Sequence, residues 1–294
     1  MRVWLIKGIL RLFSIFPLRL THAVATLIGK SLVYFSSTRI TQVTIINVRL
    51  CFPHWSSEAQ TQLVHHSLIE TSKTFLELGC LWLRPAQKTL TFMRHVSGEE
   101  LVQQALHAQK GVILLTPHLG AWEIAGLYAA SRYQMTTLYK PPKLAGLAQL
   151  ILEARQRSGG RYVATDATGI RALYRTLSQG NVVGILPDQV PTQASAGVFV
   201  PFFDIMANTM TLVSRLVKKT GAIVIFAYAE RLPSGQGYHL HFLPAPDELY
   251  SDNLETSVMA LNQGVEMCVQ ACPTQYQWSY KRFKTRPLGE MDIY

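Results

Sequence analysis

From Gly111 to Ala271 the chain keeps changing period. Short apolar runs alternate with longer stretches of helical spacing. "VILLTP", "MTTLYK", "NVVGILPDQ" and "AIVIFAYAER" read as strands. "GAWEIAGLYAASRY", "LAGLAQLILEARQRSGG", "GIRALYRTLSQG", "TMTLVSRLVKKTG" and a last helix over about Leu254 to Ala271 read as helices. Strands that are apolar without polar alternation are covered on both faces, so this pattern predicts an α/β fold: a mostly parallel sheet flanked by helices. "AIVIFAYAER" and "YHLHFLPA" are joined by the turn-forming "LPSGQG" and are expected to pair antiparallel. Ahead of this region, Ser56 or Ser57 is placed to cap a long helix burying Leu63, Leu68, Phe75, Leu78 and Trp82 and ending before Pro85. "GEELVQQALHAQKG" predicts a shorter helix.

The N-terminus has a different character. "MRVWLIKGILRLFSIFPLRLTHAVATLIGKSLVYF" is strongly apolar but interrupted by Arg2, Lys7, Arg11, Arg19 and Lys30. No charge-free run approaches the about 20 residues a spanning helix needs, and no clear signal-peptide cleavage site is present. Cations at intervals of five and four, with Trp4, Leu5, Ile9, Leu12 and Phe16 over the remaining surface, predict an interfacial amphipathic helix. A core helix with a basic outer stripe is the plainer alternative. The expected organisation is a membrane-associating helical segment over 1–40 and a single α/β domain over 41–294.

Charge narrows the partners. The formal net charge is +10, with 48% hydrophobic and only 16% charged residues, against about 25% charged in a typical soluble domain. A positive excess points to nucleic acid, anionic lipid or phosphorylated substrates. No nucleic-acid signature accompanies it, which leaves membrane and phosphate. Cys51, Cys80, Cys268 and Cys272 show no metal or redox spacing and read as reduced, buried residues of a protein facing the cytoplasm. His239 and His241 alternate on one strand as two metal ligands would, but no third ligand is evident beside them, and no metal site is predicted. His65 and His66 point to different sides of a helix. The "KRFKTR" run, Lys281 to Arg286, reads as a solvated tail or as a contact for an acidic partner.

Chemistry concentrates in "LLTPHLGAWEIAGLY", residues 114 to 128. His118 follows a strand and Glu123 opens the next helix. Five residues apart on one regular helix, the two side chains diverge by about 140°. With His118 in the preceding turn, its ring can fold back onto the Glu123 carboxylate, which would fix the imidazole tautomer and leave the other nitrogen as a base. No G-x-S-x-G nucleophile elbow is present, so such a base would act on a substrate hydroxyl. The plain alternative is a buried histidine beside an acid.

The sequence resembles the H-x4-[D/E] acyltransferases, and within them the lipid A biosynthesis (lauroyl/myristoyl) acyltransferases of Gram-negative bacteria. "HLGAWE" is similar to their "HxGNWE", with Ala121 where Asn is frequent. "NVRLCFPHWS", "PDQ…GVFVPFFD…NTMTLVSRL" and "QYQWSYKRFKTRPLGE" are similar to three further blocks, so the resemblance covers nearly the whole chain. It implies transfer of a fatty acyl group from acyl carrier protein to a hydroxyl of a lipid A precursor, on the cytoplasmic face of the inner membrane and without a cofactor. His118 would be the general base and Glu123 its orienting partner. Arg155, or Arg157 two residues on, would hold phosphate or organise the transfer site, and Asp188 would stand at the strand ends beside His118. Where the family often has a second acid and a glycine after this Asp, the chain reads "DQVPTQASAG", which leaves the acceptor open to another glycolipid or an amino-acid-containing lipid. A non-catalytic lipid- or carrier-binding homologue is the remaining alternative.

Overall fold

The computed structural model describes residues 2–34, 37–142, 145–191, 193 and 196–294. A seven-stranded sheet runs in the order β1-β9-β8-β2-β5-β3-β4. Its strands are β1 (Met93–Ser97), β2 (Val112–Leu115), β3 (Met135–Tyr139), β4 (Arg161–Ala164), β5 (Val182–Ile185), β8 (Ile223–Arg231) and β9 (Tyr238–Pro244). From β8 to β4 all neighbours are parallel. β9 pairs antiparallel with β8, as the turn between them predicts, and β1 lies parallel to β9. β6 (Gly197–Phe202) and β7 (Ile205–Met210) form a separate antiparallel hairpin.

The central strands are apolar on both sides because both sides are covered. Every residue of β2 and β5 is buried. Ile113 and Leu115 join one core with α9 (Ala167–Ser178), α10 (Leu212–Thr220) and α11 (Leu254–Ala271). Val112 and Leu114 join the other, with α6 (Glu99–His107) and α7 (Trp122–Arg132). α8 (Ala145–Gln156) connects β3 to β4.

The N-terminal region comprises α1 (Arg2–Ile15), α2 (Leu18–Tyr34), α3 (Arg39–Cys51), the long α4 (Ser57–Leu83) and the short α5 (Ala86–Leu90). Ser56 caps α4 by accepting from the Ala59 N–H at 3.1 Å. Leu63, Leu68 and Trp82 are buried along it as expected, whereas Phe75 is 53% exposed. α1 and α2 break at Pro17 and pack against α4. Among the described residues no helix is long and apolar enough to cross a membrane. Trp4, Leu5, Ile9, Leu12 and Ile15 of α1, with Leu20, Leu27 and Ile28 of α2, remain exposed. All four cysteines are free and buried.

Candidate active site

β2 and β5 are neighbours, and the loops that leave their carboxyl ends carry His118 and Asp188. His118 Nδ1 donates to Asp188 Oδ1 at 2.8 Å, and the His118 backbone N–H donates to Asp188 Oδ2 at 2.9 Å. Both oxygens of Asp188, 3% exposed, thus accept from His118. Burial alone would raise its carboxyl; the facing imidazole and these two hydrogen bonds outweigh burial and hold it below the ordinary range. With Nδ1 carrying the proton, Nε2 presents a lone pair, and the Gln189 side-chain nitrogen lies 3.1 Å from it.

The His118 loop is held from several directions. Its carbonyl accepts from the Gln277 N–H, Gly120 N–H donates to the Gln275 carbonyl, and Ala121 N–H donates to the Ala229 carbonyl of β8, at 2.8–3.0 Å. Gly120 has φ +59°, and a Cβ there would meet the Ala229 carbonyl oxygen at 2.1 Å, so only glycine fits this turn. Its own carbonyl accepts from Arg231 Nη2 at 2.9 Å. Arg231 also donates to Glu77 of α4, which bonds His22 of α2 and the Tyr238 hydroxyl as well. This buried ion cluster ties the N-terminal helices to the histidine loop.

Glu123 does not hold His118. It opens α7 and takes the Arg155 guanidinium, through Nε at 3.1 Å and through Nη2, and the Trp82 indole N–H at 2.9 Å. Burial would raise this carboxyl, but Arg155 and Trp82 keep it depressed, while Glu123 in turn overrides burial and raises Arg155. The sequence expectation that Glu123 orients the imidazole is therefore corrected. A helix start aims its first side chains back over the preceding turn, where α4 and α8 deliver Trp82 and Arg155. Arg157 donates to the carbonyls of Ala154 and Leu81, the latter at 3.0 Å near the end of α4.

"KRFKTR" is not a solvated tail either. Arg282 is 3% exposed and donates to the Asn208 carbonyl and Thr209 Oγ1 at 2.7 Å, and Phe283 is core. Tyr280, just before it, accepts from the Val190 N–H at 3.0 Å, so this segment braces the loop that carries Asp188.

His118, Trp122, Glu123, Arg155 and Gln189 border a cavity of about 380 Å³. It extends between α7, which contributes Ala125, Gly126 and Ala129, and the sheet face bearing Leu114, Met135, Ala227 and Phe242. Glu123 and Arg155 stand near the imidazole, Lys140 also borders the cavity, and much of the remaining lining is apolar.

A family profile described as bacterial lipid A biosynthesis acyltransferase matches residues 1–285. The chain belongs to that family. The chain is 28% identical to a lipid A biosynthesis lauroyltransferase of Escherichia coli K12 over 287 residues, covering 97% of this chain and 92% of the relative. It is 25% identical to the palmitoleoyltransferase of that organism over 295 residues (99% and 94%) and 27% identical to its myristoyltransferase over 253 residues (85% and 77%). As a lipid A biosynthesis acyltransferase, the protein is an enzyme whose relatives are named for three different acyl chains, so membership alone sets no chain length.

Proposed function

We propose that this acyltransferase moves a fatty acyl group from acyl carrier protein to a hydroxyl of a lipid A precursor at the cytoplasmic face of the inner membrane, with His118 as general base. The observation that carries this reading is the His118–Asp188 pair opening onto a largely apolar cavity. Asp188 holds the tautomer in which Nε2 is basic. A substrate hydroxyl displacing the Gln189 amide from Nε2 would give up its proton there as its oxygen attacks the thioester carbonyl. The new O–C bond forms, the C–S bond breaks, and the proton passes from Nε2 to the departing thiolate. The apolar part of the cavity suits the acyl chain. The Glu123–Arg155 pair, at the charged end, suits a position beside the acceptor.

The membrane reading rests on the exposed apolar side chains of α1 and α2, interspersed with Lys7, Arg11, Arg19 and Lys30. α1 also abuts α8, where a Cβ on Gly146 would meet Val3 at 2.8 Å. Helix α1 therefore lies beside the helix that supplies Arg155 to the cavity.

The test is transfer from acyl carrier protein to a purified lipid A precursor, with product identified by mass spectrometry. A positioned base contributes about 10²–10⁴-fold, so His118→Ala should lose activity on that scale with an unchanged circular dichroism spectrum. Asp188→Asn should lose a comparable amount, and the double variant should be little worse than either, because the two act as a unit. Near-parental activity in His118→Ala would remove the catalytic reading. Losses that simply multiply would remove the pairing.

A further inference from the structure

On the face of the sheet away from the cavity, three strands bring four ionisable side chains into a row. His239 and His241 alternate on β9. Glu230 of β8 stands directly across from His239, and His95 of β1 stands across from it on the other side. His241 Nε2 lies 3.1 Å from Glu230 Oε2. The His239 and His241 rings are 3.9 Å apart between centroids, and His95 is 5.5 Å from His239. One ligand atom each from Glu230, His239 and His241 falls within 4.8 Å of the others. The third ligand, Glu230, lies nine residues before His239, and only the register of the β8–β9 hairpin brings it beside the histidines.

We infer that Glu230, His239 and His241 form a binding site for a divalent transition metal of the zinc class. Two imidazoles and a carboxylate are a ligand set zinc accepts, with bonds of about 2.0–2.2 Å. In a tetrahedron those bonds separate neighbouring ligand atoms by about 3.3 Å, close to the 3.1 Å already present between His241 and Glu230. With the His241 proton on Nδ1, Nε2 and the Glu230 carboxylate both present lone pairs to the metal. His239 has an outer partner: Ser97 Oγ of β1 lies 2.7 Å from its Nε2. An Nε2–H donated to Ser97 leaves the Nδ1 lone pair for the metal, the usual arrangement behind a histidine ligand. Tyr228 stacks on the His241 ring at 4.7 Å and limits its rotation. The Glu230 side chain is 40% exposed and that of His241 20%, so an ion enters from solvent and a water or His95 completes the shell. Imidazole ligands select zinc, cobalt or nickel over magnesium and calcium, which favour oxygen. The bound ion would clamp β9, which runs against the parallel strands, to β8 one residue beyond the Ala229 carbonyl that holds the His118 loop.

The test uses the untagged full chain. Calorimetric titration with ZnCl₂ should give one equivalent bound, and CoCl₂ should give the visible absorption of a four- or five-coordinate ion with nitrogen ligands. MgCl₂ should give neither. The thermal midpoint should rise with ZnCl₂ and return on adding EDTA. His239→Ala combined with His241→Ala should abolish the tight equivalent. Glu230→Gln should weaken it by more than the about 10–100-fold typical of losing an outer partner, and Ser97→Ala by about 10-fold. Should the double variant misfold through loss of the Tyr228 contact, Glu230→Gln and His239→Gln decide the matter from more open positions. A tight equivalent that survives in these variants, or zinc binding no stronger than magnesium binding, overturns the site.

Discussion

Glu123 carries a carboxylate into a position 7% exposed, and its partner Arg155 has no comparable second anion among its hydrogen bonds. Removing one member of such a pair leaves an uncompensated charge and costs about 3–5 kcal/mol, whereas replacing both by apolar groups is often neutral. Glu123→Gln should therefore lower the thermal midpoint, while Glu123→Leu with Arg155→Met should recover most of it. A double-mutant cycle in urea measures the coupling, and additive losses would show that the pair does not act as one. At this scale the sequence exposed the residues but not their pairing. His118 and Glu123 stand out by their spacing, and Arg155 and Asp188 through the family resemblance. The short spacing to Glu123 drew attention to the wrong carboxylate, because the acid that holds the ring lies 70 residues on. Only the adjacency of β2 and β5 makes them neighbours, and strand order is not written in local spacing. The Gln189 contact was hidden for the same reason, although the departure after Asp188 was a visible signal.

Among the elements, α7 shows most directly how local structure serves the site. Gly126 lies inside this helix, where glycine costs about 1 kcal/mol relative to alanine. A Cβ there would meet nothing within 4 Å, and the residue lines the cavity. Space rather than backbone freedom explains the glycine. Gly126→Leu should raise the thermal midpoint slightly while shifting transfer toward shorter acyl chains in a competition among donors of graded length, with Gly126→Ala intermediate. An unchanged chain-length profile would place the acyl chain elsewhere. The α2–α4–β8 ion cluster sets a pH dependence. Burial opposes ionisation of Glu77, but Arg231, with hydrogen bonds from His22 and Arg231, lowers its pKa from an ordinary 4.5 to about 2. A depressed carboxylate contributes stability that is fully present above about pH 4.5 and is lost as pH falls toward 2. The acid unfolding of Glu77→Gln, a less stable variant at neutral pH, should be flatter across that window. The elements the sequence did not reveal have physical reasons. β1 and β4 are edge strands with mostly half-exposed, polar-containing patterns. The β6–β7 hairpin turns through Phe203 and Asp204 at φ +48° and +62°, without the Asn-Gly or Asp-Gly signal that usually marks such a turn.

At the scale of the whole molecule, no helix among the described residues is long and apolar enough to cross a membrane, and the first two helices offer a face for reaching a lipid acceptor. Isolated exposed apolar residues are ordinary, but Trp4 at 75%, Leu5 at 66% and Leu12 at 50% exposure share α1 with Ile9 and Ile15, and Arg11 lies among them. Burying an apolar side chain fully yields about 1.5–3 kcal/mol, and insertion to headgroup depth recovers roughly half of that, about 1 kcal/mol each. Trp4→Ser, Leu5→Ser, Ile9→Ser and Leu12→Ser together should then weaken vesicle binding by about 4 kcal/mol, or roughly 10³-fold. These side chains point outward, so folding should be little affected. Deleting residues 1–35 is a poorer test, because it also removes Leu18, Ala25 and His22 from buried positions against α4. Co-sedimentation with anionic and neutral vesicles, at low and high salt, separates the two contributions: the apolar loss should appear on both lipids, and the cationic one only on anionic lipid at low salt. Transfer to an acceptor embedded in vesicles should fall with binding, while transfer to the same acceptor dispersed in detergent should hold. Equal loss in both formats would mean that α1 supports the cavity through α8 rather than delivering the enzyme to its lipid, and undiminished binding would move the membrane contact to another surface.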